Sequence, residues 1–143
     1  MTGSKAMSNS QTTALITRYY DAFNAGDWAA MAALVSDDVA HDINEGTREI
    51  GREAFARFLV MMDLHYDEQA GDIVVMISQD GRRAAAELTI RGRYKVTAPG
   101  LPEAAGQRYS LAVGAFFDVD DGAISRVTTY YNLAEWMRQV AGN

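Results

Sequence analysis

Apolar positions along the chain repeat with two periods, and the switch between them separates a helical first half from a stranded second half. Leu15, Ile16, Tyr19, Tyr20 and Phe23 recur at helical spacing and form one apolar stripe. Asn24-Ala25-Gly26 ends that helix, because Gly26 can take the left-handed C′ conformation. Asp27 is placed to cap a second helix, with Trp28, Met31, Ala32 and Val35 as its stripe and Ser36-Asp37-Asp38 as its break. Residues 39–44 read as a short strand closed by Glu45-Gly46. Gly51 and Glu53 open a third helix, striped by Phe55, Phe58, Leu59 and Met62 and expected to run to about Tyr66.

Beyond that helix the period falls to 2. Residues 73–78 read as an apolar strand and Gln79-Asp80-Gly81 as a hairpin turn, followed by a long strand at 83–96. Ala84, Ala86, Leu88, Ile90, Gly92 and Tyr94 share one face of it, and Glu87, Thr89, Arg91 and Arg93 the other. Pro99-Gly100, Pro102 and Gly106 make 97–108 a loop. It is too long for a plain hairpin and is expected to be mobile, a pocket rim or a dimer arm. Residues 109–119 form the next strand, with Tyr109, Leu111, Val113, Ala115 and Phe117 on one face. Asp120-Asp121-Gly122 turns the chain into a last strand at 123–131. Asn132 caps a closing helix with Glu135 at N3 and a stripe of Leu133, Trp136, Met137 and Val140. Helices bunched early and strands bunched late predict an α+β fold whose sheet is mostly antiparallel. Each helix has one apolar stripe, so the helices are expected on one face of a curved sheet.

Composition narrows the partners. A length of 143 residues suits one domain able to bury roughly 70% of its unfolded surface. Residues 1–10 read as a polar tail and 11–143 as the domain. With 48% hydrophobic and 22% charged residues the chain is an ordinary globular sequence. Its net charge of −6 makes nucleic acid an unlikely partner. The absence of Cys removes disulfides, thiolate metal sites and cysteine nucleophiles. The densest apolar run, 58–62, is far too short to span a membrane, and the N-terminal residues lack an apolar export core, so a cytoplasmic location is expected. Two His residues and no Cys argue against a metal. No glycine-rich phosphate loop joins a strand to a helix, so no cofactor is expected.

The local motifs carry a resemblance. Arg18-Tyr19, Asn24-Ala25-Gly26-Asp27-Trp28, Asp37-Asp38-Val39, His41-Asp42, the Gly51-Arg52-Glu53 helix start, and Phe117-Asp118 before Gly122-Ala123-Ile124 resemble the nuclear transport factor 2-like superfamily. Within it they are similar to the ketosteroid isomerase-related branch of SnoaL-like polyketide cyclases. The resemblance implies a conical α+β fold, with a curved sheet wrapped on helices around a pocket for a small apolar ligand, and a homodimer. It implies a general base at Asp42 and an oxyanion-donating hydroxyl at Tyr19. The position of the family's protonated aspartate falls near Val113, which donates nothing, so true 3-oxosteroid isomerisation is not expected. The implied activity is cofactor-free acid–base chemistry on a small carbonyl- or enol-bearing molecule; a binding or dimerisation domain without turnover is the alternative.

The residues themselves leave the base open. Strict alternation groups Asp42 with Ala40 and Asn44, and puts His41 on the Val39/Ile43 face, which points inward. His41, with an ordinary pKa near 6.5, is the second candidate base. Phe23, Phe55, Leu59, Val113 and Trp136 are the expected pocket lining. His65 reads as structural or surface. Glu87, Arg91 and Arg93 read as a solvated or interfacial row, with a functional Arg–carboxylate pair as the alternative. Of Tyr130 and Tyr131, one must point to each face of the sheet. The outward positions Ala112, Gly114 and Phe116 supply an apolar patch for a dimer contact.

Overall fold

A computed structural model describes residues 7–141. The elements in chain order are α1 (Asn9–Ala25), α2 (Trp28–Ala33), β1 (Val35–Asp42), β2 (Arg48–Ile50), α3 (Arg52–His65), β3 (Tyr66–Ile77), β4 (Arg83–Tyr94), β5 (Arg108–Asp120), β6 (Ala123–Tyr131) and α4 (Leu133–Ala141). The six strands form one sheet in the order β2-β1-β6-β5-β4-β3. All pairs are antiparallel except β1 with β6. The fold is α+β with a curved, open sheet, as the two-period pattern requires.

Helix ends follow the sequence closely. Gly26 sits at φ 67° and returns its N–H to the end of α1, and the Asp27 side chain accepts the N–H of Ala30. At the start of α1, Ser8 and Gln11 form a reciprocal capping box, so the helix begins two residues before the end of the expected polar tail. Most of that tail, residues 1–6, lies outside the described residues. The turn at Gly81 has φ +72°, and its carbonyl accepts a hydrogen bond from buried Thr12 Oγ1 at 2.7 Å, tying the hairpin to α1.

Further boundaries differ from the sequence reading. Val35 belongs to β1 rather than to the second helix. The Ser36-Asp37-Asp38 stretch lies within this strand, in the register shift between Val35 and Ala40. β2 was not expected at all; it pairs with the end of β1 through His41↔Glu49 and Asp42↔Arg48. β3 begins at Tyr66, directly after α3, and is twelve residues long. Its early alternation is masked in the sequence because the inward position between Tyr66 and Ala70 is a glutamate, Glu68. A bulge between Gly71 and Val74, with Asp72 at φ 53°, then resets the alternation before the apolar stretch.

The core lies between the sheet's concave face and the helices. Leu15, Ile16, Tyr19, Met31, Phe55 and Leu59 meet Ala84, Ala86, Leu88, Val113, Ala115, Phe117 and Val127 from the strands. α4 lies against β5, and its Gln139 bonds both backbone groups of Ser110, where β6 no longer covers that strand's edge. The loop 97–108 is organised by the fully buried Tyr94: its hydroxyl donates to Pro102 O at 2.6 Å and accepts the N–H of Ala98. His65 Nδ1 bonds Val96 O at 2.9 Å, a structural role. No helix among the described residues is long and apolar enough to cross a membrane.

Candidate functional site

A cavity of about 1180 Å³ opens between the concave face and the helices. Phe23, Phe55, Leu59, Val113 and Trp136, the five residues expected to line it, all do, and Leu101 of the 97–108 loop adds to the wall. Its wall is mostly carbon, interrupted by polar side chains that include Asn24, His41, Glu68 and Gln139.

Tyr19 comes to the cavity from the buried stripe of α1. Its ring meets Tyr20 and Phe117 edge-on at 5.2 and 5.3 Å and lies 6.4 Å from Phe55. Among the described residues its hydroxyl has no hydrogen-bond partner. Burial pushes its pKa well above the ordinary value, so the group stays a neutral O–H donor. His41 comes from the other side, on β1, and is only 5% exposed. Its ring packs edge-on against Phe55 at 5.1 Å and Phe58 at 4.6 Å, and its Nδ1 is buried without a partner. Desolvation lowers its pKa, against a weaker pull from Glu49 and Asp42. The imidazole is therefore neutral near pH 7 and able to accept a proton.

Asp42 departs from the expectation. Residue 42 borders the cavity, but its carboxylate turns to the other face of the sheet. In register, Asp42 stands beside Thr128, and Thr128 beside the exposed Phe116, whereas His41 stands beside buried Val127. Arg48 donates to both carboxylate oxygens, at 2.6 and 3.0 Å, and Thr128 Oγ1 donates to Oδ2 at 2.6 Å. Arg126 completes the chain by donating to Thr128 and Asp118. The Arg48 hydrogen bond, followed by that from Thr128, holds the Asp42 carboxyl down to about 2. The general base that the resemblance implies is instead a carboxylate held in its charged form, because the strand's alternation supplies cationic partners and not an apolar wall.

Glu68 was missed by sequence reasoning. It lines the cavity from the concave face of β3 and accepts a hydrogen bond from the Tyr109 hydroxyl at 2.6 Å. Burial raises its pKa, more than the Tyr109 hydrogen bond lowers it. The only sequence signal was the alternation Tyr66, Glu68, Ala70. The neighbouring charged row is structural: Arg91 pairs with Asp72 and Arg93 with Asp67. Tyr131 lines the cavity while Tyr130 lies outside against Phe116, so each face of the sheet receives one of the pair.

The SnoaL-like domain model matches residues 16–127. A candidate polyketide cyclase of Xanthomonas campestris pv. campestris is 56% identical; the alignment covers 93% of this chain and 99% of that one, with a TM-score of 0.90. A second candidate polyketide cyclase, from Pseudomonas putida KT2440, is 53% identical over 90% of this chain and 97% of that one, with a TM-score of 0.89. A nuclear transport factor 2-like protein of Burkholderia xenovorans LB400, 15% identical, shares the fold over 94% of this chain and 98% of its own, with a TM-score of 0.73. No curated protein matches the sequence. With the domain model spanning both helix stripes and most of the sheet, the chain belongs to the SnoaL-like family, on the nuclear transport factor 2-like fold.

Proposed function

We propose that this protein is a cofactor-free acid–base catalyst acting on a small, mostly apolar carbonyl- or enol-bearing molecule, of the polyketide kind for which two of its structural relatives are named. One observation carries the reading. Tyr19 and His41 both line one cavity and both pack on Phe55, and the Tyr19 hydroxyl has no hydrogen-bond partner among the described residues. An unpaired buried polar group costs about 1–3 kcal/mol, and a bound oxygen function offsets that cost. The Tyr19 O–H stabilises negative charge on a carbonyl oxygen, and the neutral His41 ring takes the proton from the adjacent carbon. In this assignment the base is His41 and not Asp42. Val113 leaves the oxygen site with one donor fewer than a steroid isomerase needs, which also favours the alternative of ligand binding without turnover.

A second copy of the chain is proposed to cover the outer face of the sheet, where Val74, Met76, Phe116 and Tyr130 are exposed. Light scattering at micromolar protein checks this; a monomer overturns it.

The enol reading is tested with 2-naphthol, whose hydroxyl imitates an enol on an apolar frame. Wild-type protein should bind it, and Tyr19→Phe should weaken binding on the order of tenfold, the worth of one hydrogen bond to a charged or strongly polar oxygen. Equal affinity of the two proteins, or no binding at millimolar naphthol, sinks the reading.

A further inference from the structure

Glu68, Gly92 and Tyr109 stand side by side in register across β3, β4 and β5. All three are on the concave face. Tyr109 must reach across the whole of β4 to meet Glu68, and it does so because residue 92 has no side chain. A Cβ built on Gly92 would lie 2.5 Å from Tyr109 Cζ and 2.6 Å from its hydroxyl. No real contact is that short, so the glycine is the seat on which the tyrosine ring lies. Trp136 closes the ring from α4 edge-on at 5.9 Å, and itself packs on Tyr66 and Tyr94. The result is a rigid arm that presents one hydroxyl to one carboxylate oxygen, Oε2, at 2.6 Å.

The other oxygen, Oε1, has no hydrogen-bond partner among the described residues. Among the described residues no cation pairs with Glu68 either. Arg91 and Arg93, on the same strand as Gly92, are committed to Asp72 and Asp67. The titratable groups that face the carboxyl are tyrosines: Tyr109 from β5, Tyr66 from its own strand and Tyr131 from β6. α4 contributes Trp136, which carries no charge. This is the reverse of Asp42, which has Arg48 on both oxygens. A carboxyl held by one neutral donor in an aromatic wall, with its second oxygen free in a ligand-sized cavity, is built to exchange a proton and not to anchor a charge.

We propose that Glu68 is a second proton-transfer group of this cavity, with Oε1 meeting the ligand while Tyr109 positions the carboxyl through Oε2. The inference rests on the acid–base reading above and extends it to the substrate. His41 on β1 and Glu68 on β3 are four strand spacings apart, roughly 19 Å measured along the curved sheet. The two groups enter the cavity of about 1180 Å³ from strands four places apart in the sheet, so the substrate class that uses both is a carbonyl compound with two reactive positions. At the Glu68 end the carboxylate takes a proton from a carbon next to a carbonyl. The C–H electron pair becomes the enolate double bond and the carbonyl pair moves to oxygen. The resulting carboxylic acid returns its proton to carbon or oxygen in the next step.

The test uses 5-nitrobenzisoxazole, a neutral probe that reports a base in an apolar pocket. The base removes the proton on C3, the C–H pair forms the nitrile, the N–O bond breaks with its pair going to oxygen, and the opened ring is a coloured cyanonitrophenolate. Glu68→Gln in the full chain should lose at least about tenfold in rate, while Glu87→Gln, the same change on the outer face of β4, should leave it unchanged. The wild-type rate should rise with pH through a carboxyl titration displaced upward. Tyr109→Phe should keep turnover and move that titration further up, because the ionised form loses its donor. This readout also decides the matter if Glu68→Gln does not fold, and a merely structural tyrosine would not move it. The proposal is overturned if wild type is no faster than free acetate, if Glu68→Gln retains the wild-type rate, or if Tyr109→Phe leaves the titration in place. Loss of turnover in His41→Gln but not in Glu68→Gln leaves the His41 reading standing and removes Glu68. Failure of the naphthol test alone removes the Tyr19 reading and leaves Glu68.

Discussion

On the outer face of the sheet, Asp42 has Arg48 on both carboxylate oxygens and Thr128 beside it, and its carboxyl is held down to about 2. On the concave face, Glu68 has a single tyrosine hydroxyl and an aromatic wall, and its carboxyl is pushed up. His41, one residue from Asp42, shares the concave environment, and its imidazole is pushed the other way, toward the neutral form. The difference lies in the partners and not in the residue types. One face supplies guanidinium groups and water, which favour charge. The other supplies aromatic rings, which favour the neutral form of acid and base alike. Neutral groups with protons to give or take are what a cofactor-free site needs.

The comparison can be broken first at Phe55, the ring that both Tyr19 and His41 lean on. It is 1% exposed, and Phe55→Ala should cost about 3–5 kcal/mol in urea unfolding. A cost under about 1 kcal/mol would mean that the concave wall does not hold these groups in place. Gly92→Ala comes next. The added methyl meets the Tyr109 ring, so a loss of about 1–3 kcal/mol and a changed tyrosine absorbance are expected. An unchanged variant would show that the ring does not lie over β4.

The two carboxyls should then give opposite pH slopes. For Asp42 the unfolded chain takes up the proton first, since its ordinary value is 3.8 against about 2 when folded. Its stabilisation is full above pH 3.8 and is lost as the pH falls toward 2. For Glu68 the folded carboxyl lies above the ordinary 4.5, so its stabilisation is full below pH 4.5 and is lost as the pH rises through the folded value. His41 acts with the opposite sign: stability falls as the pH drops below its ordinary 6.5. Asp42→Asn should flatten the acid limb below pH 3.8. Glu68→Gln should remove the fall above pH 4.5 and leave the rise due to His41. Thermal unfolding across pH 2–8 reads all three, and slopes of the same sign for Asp42 and Glu68 would erase the contrast.

The smallest effect belongs to Arg48→Ala. The Arg48 side chain is 53% exposed, and a surface pair of this kind contributes little to stability. Its signature is a rise in the Asp42 pKa, followed by carboxyl NMR, with little change in melting temperature. A loss comparable to that of Phe55→Ala would make the outer network structural and not local.

Much of this architecture is legible from periodicity, because burial of one helix stripe or one strand face must leave its period in the sequence. The stripes of α1 and α3, the inner rows of β4 and β5, and the caps at Gly26 and Asp27 are read that way, whereas the pocket that Phe23, Phe55, Leu59, Val113 and Trp136 line was implied by the resemblance. Alternation also placed His41 inward and Asp42 outward, and the structure agrees with it over the base role that the resemblance implied. What the sequence hides is any position where a polar side chain or a register shift breaks the pattern. Glu68 interrupts an apolar inner row, so only residues 73–78 read as strand. Val35 and Ser36-Asp37-Asp38 sit at a register shift, where strand residues look like a helix end and a turn.

The sequence by itself determined which residues are buried, since transfer of apolar surface from water depends on each side chain and its local period. Only the tertiary structure decided which polar groups face each other. Arg48 reaches Asp42 because β2 folds back on β1, and Tyr109 reaches Glu68 because two strands distant in sequence flank a glycine. A carboxyl's protonation depends on charges and donors within a few ångströms, and the register of the sheet brings those neighbours in from remote parts of the chain.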